Sequence, residues 1–411
     1  MTALIWELYQ TSHSSWLVSA AMLGVFGVST AVSPWAGHVG DRHDRRAVVV
    51  ISALLAAFGF LACAVLADLH LTLALVAAMI AAASTQGALS AAVTGAVPNL
   101  VSEEELTGAN SLTGAFKSAG FMLGPGIGGA LLAVISAPGV FAFGGVLLLI
   151  SAGLVVGLRG NVSEVRHDLH TVGGRLDGYR HLWEDRWLRL LTVAWALVMF
   201  GVGPVIVAEV VLAHHFHVGS TGYGLIAVFW DGGGVVGALA GRKLPLRLEH
   251  AAVAGGCAAI GIGFAIVGLT PVFWPVLLGM LVAGLFDAFG VVAAQNLIAR
   301  RTPDRIRSRV SAALDAVVLG AMAASFGLSA PLVELLGPQG VYLAAAVMCA
   351  VATALLVPTL AGIPDLPGRT TVTRSVRSVR RGVHSLGRPQ RLPRAGRRVV
   401  RRAARRERTR S

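Results

Sequence analysis

Charge is what this sequence has least of. Only 13% of its 411 residues are Asp, Glu, Lys or Arg, about half the roughly 25% of soluble domains. Lysine is almost missing, with only Lys117 and Lys243. Cysteine is scarce as well. Cys63, Cys257 and Cys349 all fall within apolar runs, at spacings that fit neither a disulfide framework nor a zinc module. They read as small packing residues. The chain has no glycine-rich Lys-Ser/Thr phosphate loop, which excludes a nucleotide-driven pump. It also has no polar cluster with the makings of a catalytic centre, which counts against an integral-membrane enzyme.

What is there is hydrocarbon. Hydrophobic residues make up 55% of the chain, and the mean hydropathy is +0.72. These residues come in blocks rather than in amphipathic stripes. A helix needs about 20 apolar residues to cross a bilayer. Eleven blocks reach that length: about 16–36, 47–66, 71–95, 107–135, 138–158, 188–212, 220–241, 250–270, 272–299, 308–335 and 339–358. The fold class is therefore all-α integral membrane. A shorter apolar start, Ala3–Tyr9, reads as the outer end of a first helix whose beginning either lies upstream of the given start or has been lost.

The net charge of +13 is unevenly spread: residues 359–411 hold 16 Arg against Asp365 and Glu407, or +14, leaving 18 basic and 19 acidic residues, or −1, for residues 1–358. Within the body, the alternate connections 37–46, 96–106, 159–187, 242–249 and 300–309 together hold 16 of the 18 basic residues, although 96–106 itself has none. The intervening connections 67–70, 136–138, 213–219, 270–271 and 336–338 have no Lys or Arg. Lys and Arg mark cytoplasmic loops, so the first set and the tail are expected in the cytoplasm of a multi-pass plasma-membrane protein. From Val372 the tail places Val376, Val379, Val383 and Leu386 on one helical face, with Arg374, Arg377 and Arg381 opposite. That pattern suits an in-plane helix on anionic lipid. The tail has no aromatic residue to stack on bases, so nucleic acid is not an expected partner.

The loop 159–187 divides the chain into similar halves. Short basic loops recur at 37–46 and 242–249, and VSEEEL (101–106) recurs as TPDRIR (302–307), offset by about 200 residues each time. Internal repeats of this size are a mark of transporter folds, with sites near the midplane between repeats. The expected organisation is an N-terminal bundle over 1–158, a central loop over 159–187, a C-terminal bundle over 188–358 and the tail over 359–411.

Two motifs sharpen this. Gly37-x-x-x-Asp41-Arg42-x-Asp44-Arg45-Arg46 resembles the loop between helices 2 and 3 of the major facilitator superfamily. It is most similar to the bacterial exporter branch of macrolide-efflux and enterobactin-exporter relatives. Gly120-x-x-x-Gly124-Pro125-x-x-Gly128-Gly129 resembles the fifth-helix motif of antiporters and exporters. PNLVSEEELTGANSL (98–112) and RRTPDRIRSRV (300–310) agree. The resemblance spans about residues 1–360. It implies two six-helix bundles related by a pseudo-two-fold axis, with eleven complete helices visible and the first one partial. It also implies that Asp41 meets the start of the eleventh helix, near Arg307–Arg309, and latches the cytoplasmic side. One departure stands out. The arginine usual three residues before Gln86-Gly87 in drug–proton antiporters is Ala83 here.

The glycines Gly120, Gly124 and Gly128 share one helical face, where the absence of side chains suits close helix packing; Pro125 bends that helix. Intramembrane charge is costly and marks function. Lys117, Asp231, Asp287 and Asp315 fall near the midplane. Lys117 and Asp231 are expected at similar depth on touching helices, as an inter-half ion pair. Asp287, then Asp315, are the expected protonation sites. Glu209 and Glu334 fall near the outer interface, where water can reach them. His214, His215 and His217 read as a solvated loop, and His38 and His43 as bystanders rather than metal ligands.

The combined expectation is a monomeric secondary transporter without a cofactor, exporting small amphipathic compounds by alternating access with proton coupling. An importer or facilitator on the same fold, or an inactive truncated paralogue, are the alternatives.

Overall fold

The computed structural model of the chain describes residues 1–42, 44–101, 105–157, 177–242, 244–245, 248–303 and 306–361. Every regular element among them is an α-helix. The order is α1 (Thr2–Ser12), α2 (Ser15–Arg42), α3 (Arg45–Asp68), α4 (Thr72–Ser84), α5 (Gln86–Leu100), α6 (Leu106–Val134) and α7 (Ala137–Gly157). It continues with α8 (Asp177–Glu184), α9 (Arg186–His215), α10 (Gly219–Gly241), α11 (Glu249–Leu269), α12 (Trp274–Arg301) and α13 (Arg307–Ala361).

Each of the eleven apolar blocks coincides with a helix. The block 71–95 is one span in two pieces, α4 and α5, broken at Thr85. There the Ser84 and Thr85 hydroxyls donate to the Ile80 and Ala82 carbonyls at 2.8 and 2.7 Å, a back-bonding that bends helices. The last two blocks are the arms of α13, which turns at Gly337 with φ 69°. A left-handed backbone there suits glycine, and Pro338 cannot continue the preceding helix. Nine described helices are long and apolar enough to cross a membrane, with both arms of α13 inside the last of them.

The N-terminal bundle packs α3 against α4, α5 and α7, and α2 against α4 and α5; the C-terminal bundle packs α12 against α10 and α11. Glycines set the second bundle's spacing. A Cβ on Gly284 would lie 2.0 Å from the Trp230 carbonyl oxygen, and one on Gly263 would lie 2.5 Å from that of Gly279. The largest side chains buried at this interior are aromatic, among them Phe264, Phe326 and Tyr342.

The end of the central connection is not a loop. The short helix α8 presses Gly178 onto the Arg309 backbone, where a Cβ would sit 2.3 Å from the carbonyl oxygen, and Arg309 faces Asp177 at 3.5 Å. Asp185 then caps α9, accepting from the Trp187 and Leu188 N–H groups at 2.8 and 3.0 Å, the usual service of an aspartate at a helix start. Residues 362–411, and with them the expected in-plane tail helix, lie outside the described residues.

Candidate functional site

The two faces of the bundle differ in chemistry. One carries the basic connections and is called the basic face. The other carries the turns near residues 13, 70, 136, 217, 271 and 337 and is called the opposite face.

Ring contacts and side-chain hydrogen bonds between described residues of the two bundles lie toward the opposite face and the middle, not at the basic face. Trp16 on α2 donates from Nε1 to Glu334 Oε1 on α13 at 2.7 Å. Phe26 stacks on Phe326 at 5.3 Å between centroids. The largest cluster surrounds His214, in the last turn of α9. Trp6 stacks on it at 5.1 Å and Tyr9 meets it edge-on at 4.8 Å, both from α1. Gln10 Oε1 lies 3.1 Å from its Nε2, and the Val210 carbonyl 2.9 Å from its Nδ1. Trp6 also stacks on Tyr223 of α10 at 5.6 Å. The solvated-loop reading is therefore wrong for His214: α9 runs three residues farther than apolar content alone suggests, just under one turn, and carries the imidazole into an aromatic cage. Replacing Trp16 with phenylalanine removes one donor to a carboxylate and little volume. It is expected to cost about 1 kcal/mol of closure at this exposed site, read as faster thiol labelling of a cysteine placed at Ser14.

Below the opposite face α6 meets α10. A Cβ on Gly129 would lie 2.9 Å from Gly224 Cα, and one on Gly224 would lie 2.2 Å from the Gly129 carbonyl oxygen. Deeper, the Gly126 N–H donates to Asp231 Oδ2 at 2.5 Å. Asp231 is 5% exposed.

This register corrects two expectations. The packing glycines are Gly126 and Gly129, not the set Gly120, Gly124 and Gly128. A Cβ on Gly120 or Gly124 would meet no atom within 4 Å, and one on Gly128 would only touch Thr2 at 3.7 Å. At 100° per residue Gly120 and Gly124 point away from the face that α10 covers. The expected Lys117–Asp231 pair does not fit either. Asp231 is level with Gly126, nine residues beyond Lys117, which is about 13 Å of helix rise and longer than a lysine side chain. The Lys117 side chain itself lies outside the described residues.

The remaining candidates spread apart. Asp287 is half-buried on α12, and Asp315 lies on an exposed part of the first arm of α13. Glu209 was assigned to the outer interface, yet it is turned inward, within electrostatic reach of Asp231, Tyr223 and Tyr342. The signal available for it was its position within α9 rather than at its end. Of the basic loop, the side chains of Gly37, Asp41, Arg42 and Arg45 lie outside the described residues, and so does the expected latch. Asp44 caps α3 by accepting from the Arg46 N–H at 2.9 Å. The Arg46 guanidinium donates to the Val156 carbonyl, so this arginine ties α3 to α7 inside one bundle. Across the basic face, Arg307 donates to the Ala299 carbonyl at 2.8 Å, and Arg300 to Glu249 at 2.9 Å. No group of three or more metal-ligating side chains occurs among the described residues.

The sequence matches the family described as Major Facilitator Superfamily over residues 1–278. No curated protein matches it in sequence. Among solved structures, a POT family transporter in complex with a thioalcohol-conjugated peptide gives a TM-score of 0.65 at 12% identity, covering 88% of this chain and 93% of that one. The nucleoside transporter NupG gives 0.63 at 12%, covering 87% and 96%. The xylose transporter XylE from E. coli, inward open, gives 0.62 at 14%, covering 89% and 93%. At such identities the likeness is one of fold.

Proposed function

The chain belongs to the major facilitator superfamily, and on that premise we propose that it is a secondary active exporter of small amphipathic organic compounds, driven by protons. Membership makes it a multi-pass membrane transporter with a small-molecule substrate. The direction, the coupling ion and the cargo class go beyond what membership gives.

One observation carries it. The described ring contacts and side-chain hydrogen bonds between the bundles gather toward the opposite face and the middle, while Arg300 pairs with Glu249 inside its own bundle. Alternating access needs this division: two units internally tied, joined at one face at a time. In this reading the basic face is cytoplasmic by its arginines, and the chain rests closed on the outer side. Export is supported by the resemblance of the fifth-helix motif to that of exporters. Asp287, half-buried on α12, is the proposed protonation site, with Asp315 second. The Arg-rich tail is proposed to lie on anionic lipid of the inner leaflet.

The deciding experiment is efflux and resistance profiling of cells expressing the protein, with and without a protonophore. Protonophore-sensitive extrusion of at least one amphipathic compound is expected. Uptake down a gradient, indifferent to the protonophore, would move the reading to a facilitator. Asp41→Asn is expected to abolish extrusion without reducing membrane insertion, measured by efflux beside quantitative blotting of membranes. Full extrusion in that variant would remove the latch at the end of α2.

A further inference from the structure

The contact between Asp231 and Gly126 uses three residues that make little sense singly. Pro125, inside α6, has no N–H and its ring crowds the carbonyl four residues back, which favours a bend and loosens neighbouring backbone bonds. A loosened N–H in a bilayer must find another acceptor, because no water serves it. The N–H of Gly126 finds the Asp231 carboxylate on the other bundle. Only glycine admits that approach, since a Cβ at 126 would lie 2.8 Å from Asp231 Oδ2. Asp231 is buried on α10, where an ionisable side chain is expensive. A neutral acceptor would satisfy one N–H at lower cost. What a carboxylate adds is strength, since charge-assisted hydrogen bonds are roughly twice as strong as neutral ones.

We propose that Pro125, Gly126 and Asp231 form a state-dependent latch: the bend in α6 presents an N–H that the Asp231 carboxylate captures only while the opposite face is closed, and that a proton on the carboxylate weakens. The inference rests on the alternating-access reading and deepens it by naming what biases the two states. Opening the opposite face parts α6 from α10 and returns the Gly126 N–H to its own helix. A hydrogen bond to a charged group is worth about 10- to 100-fold in the ratio of closed to open molecules. The groups facing Asp231 are few. Glu209 on α9 is within electrostatic reach of it, and Tyr223 on α10 within reach of Glu209 in turn. The helix α12, packed on α10 through Gly284 at Trp230, brings Asp287 three residues farther along. On α6, Lys117 is the titratable residue, nine positions before Gly126.

The test needs no substrate. Spin labels on cysteines placed at Leu71 and Val272, both exposed on the opposite face and in different bundles, report its opening in lipid nanodiscs. Cys63, Cys257 and Cys349 are buried and stay unlabelled. The otherwise unaltered chain should show a dominant short distance and a minor long one, the long one growing on acidification. Asp231→Asn should shift the ratio toward the long distance by about 10- to 100-fold and remove its response to acid. Pro125→Ala, which restores an N–H and straightens α6 while leaving Asp231 in place, should shift it the same way. If Asp231→Asn fails to insert, Pro125→Ala decides. Two populations that neither variant alters would overturn the latch and leave alternating access standing. A single distance in every sample, at every pH, would overturn both.

Discussion

Gly224→Ala is expected to reduce transport about tenfold or more in membranes holding normal amounts of the protein. The added Cβ would lie 2.2 Å from the Gly129 carbonyl oxygen and 2.7 Å from its carbonyl carbon. Both are backbone atoms, so no flexible side-chain end can swing away. The helices α6 and α10 must part instead, and the Gly126–Asp231 hydrogen bond just below is stretched with them. Overpacking of this kind costs about 1–3 kcal/mol, and about 1.4 kcal/mol is a factor of ten in a conformational equilibrium. The cost falls on the state in which the two helices touch, so its signature is conformational rather than a loss of folded protein. Efflux of a fluorescent amphipathic dye from membrane vesicles measures it. Gly255→Ala serves as the control, because a Cβ there would meet no atom within 4 Å. Equal loss in both variants, or in neither, would mean that the α6–α10 approach is not rate-determining.

The contrast between Gly129 and Gly120 shows where the sequence is readable and where it stops. A span declares itself by composition, because a bilayer demands a long run of apolar side chains whatever their neighbours. All eleven apolar blocks were legible for that reason, and each lies in a helix. Register is different. The stretch from Gly120 to Gly129 offers small residues on several faces of α6, and the face chosen depends on the shape of α10. Gly224, and the carboxylate of Asp231 two turns below it, settle that choice in favour of Gly126 and Gly129. The same reasoning explains Lys117: counting residues from a helix end does not fix which positions of two helices face each other, and Asp231 meets Gly126 instead. Glu209 and His214 were misplaced by a related shortcut. Apolar content ends α9 near residue 212, but the helix continues to His215. That extra length puts His214 among the rings of α1, where histidine serves as an aromatic and a hydrogen-bonding group at once, while Glu209, already inside the helix, faces inward by its register.

The largest stability effect is expected at the basic face, from Arg300→Ala. Glu249 begins α11 and is 2% exposed, with the Arg300 guanidinium 2.9 Å away and itself 39% exposed. Removing a partner from a buried ion pair costs about 3–5 kcal/mol, chiefly because the other charge is left without compensation. Two features argue for the lower end. Arg300 is partly in water, where pairing is worth less, and Glu249 sits in the first turn of its helix, where the free N–H groups favour a negative charge by about 0.3–1 kcal/mol. A loss near 3 kcal/mol corresponds to roughly 5 °C or more in the midpoint of thermal unfolding, measurable by heating the detergent-solubilised protein and following its monomer peak. The double change Arg300→Gln with Glu249→Gln removes both charges and keeps a hydrogen-bonding pair, so it should recover most of the loss. Recovery in the double variant is what separates the cost of an orphaned carboxylate from the cost of lost packing. An Arg300→Ala protein as heat-resistant as the original would mean that water already reaches Glu249, and that α11 and α12 are held at this face by their glycine contacts alone.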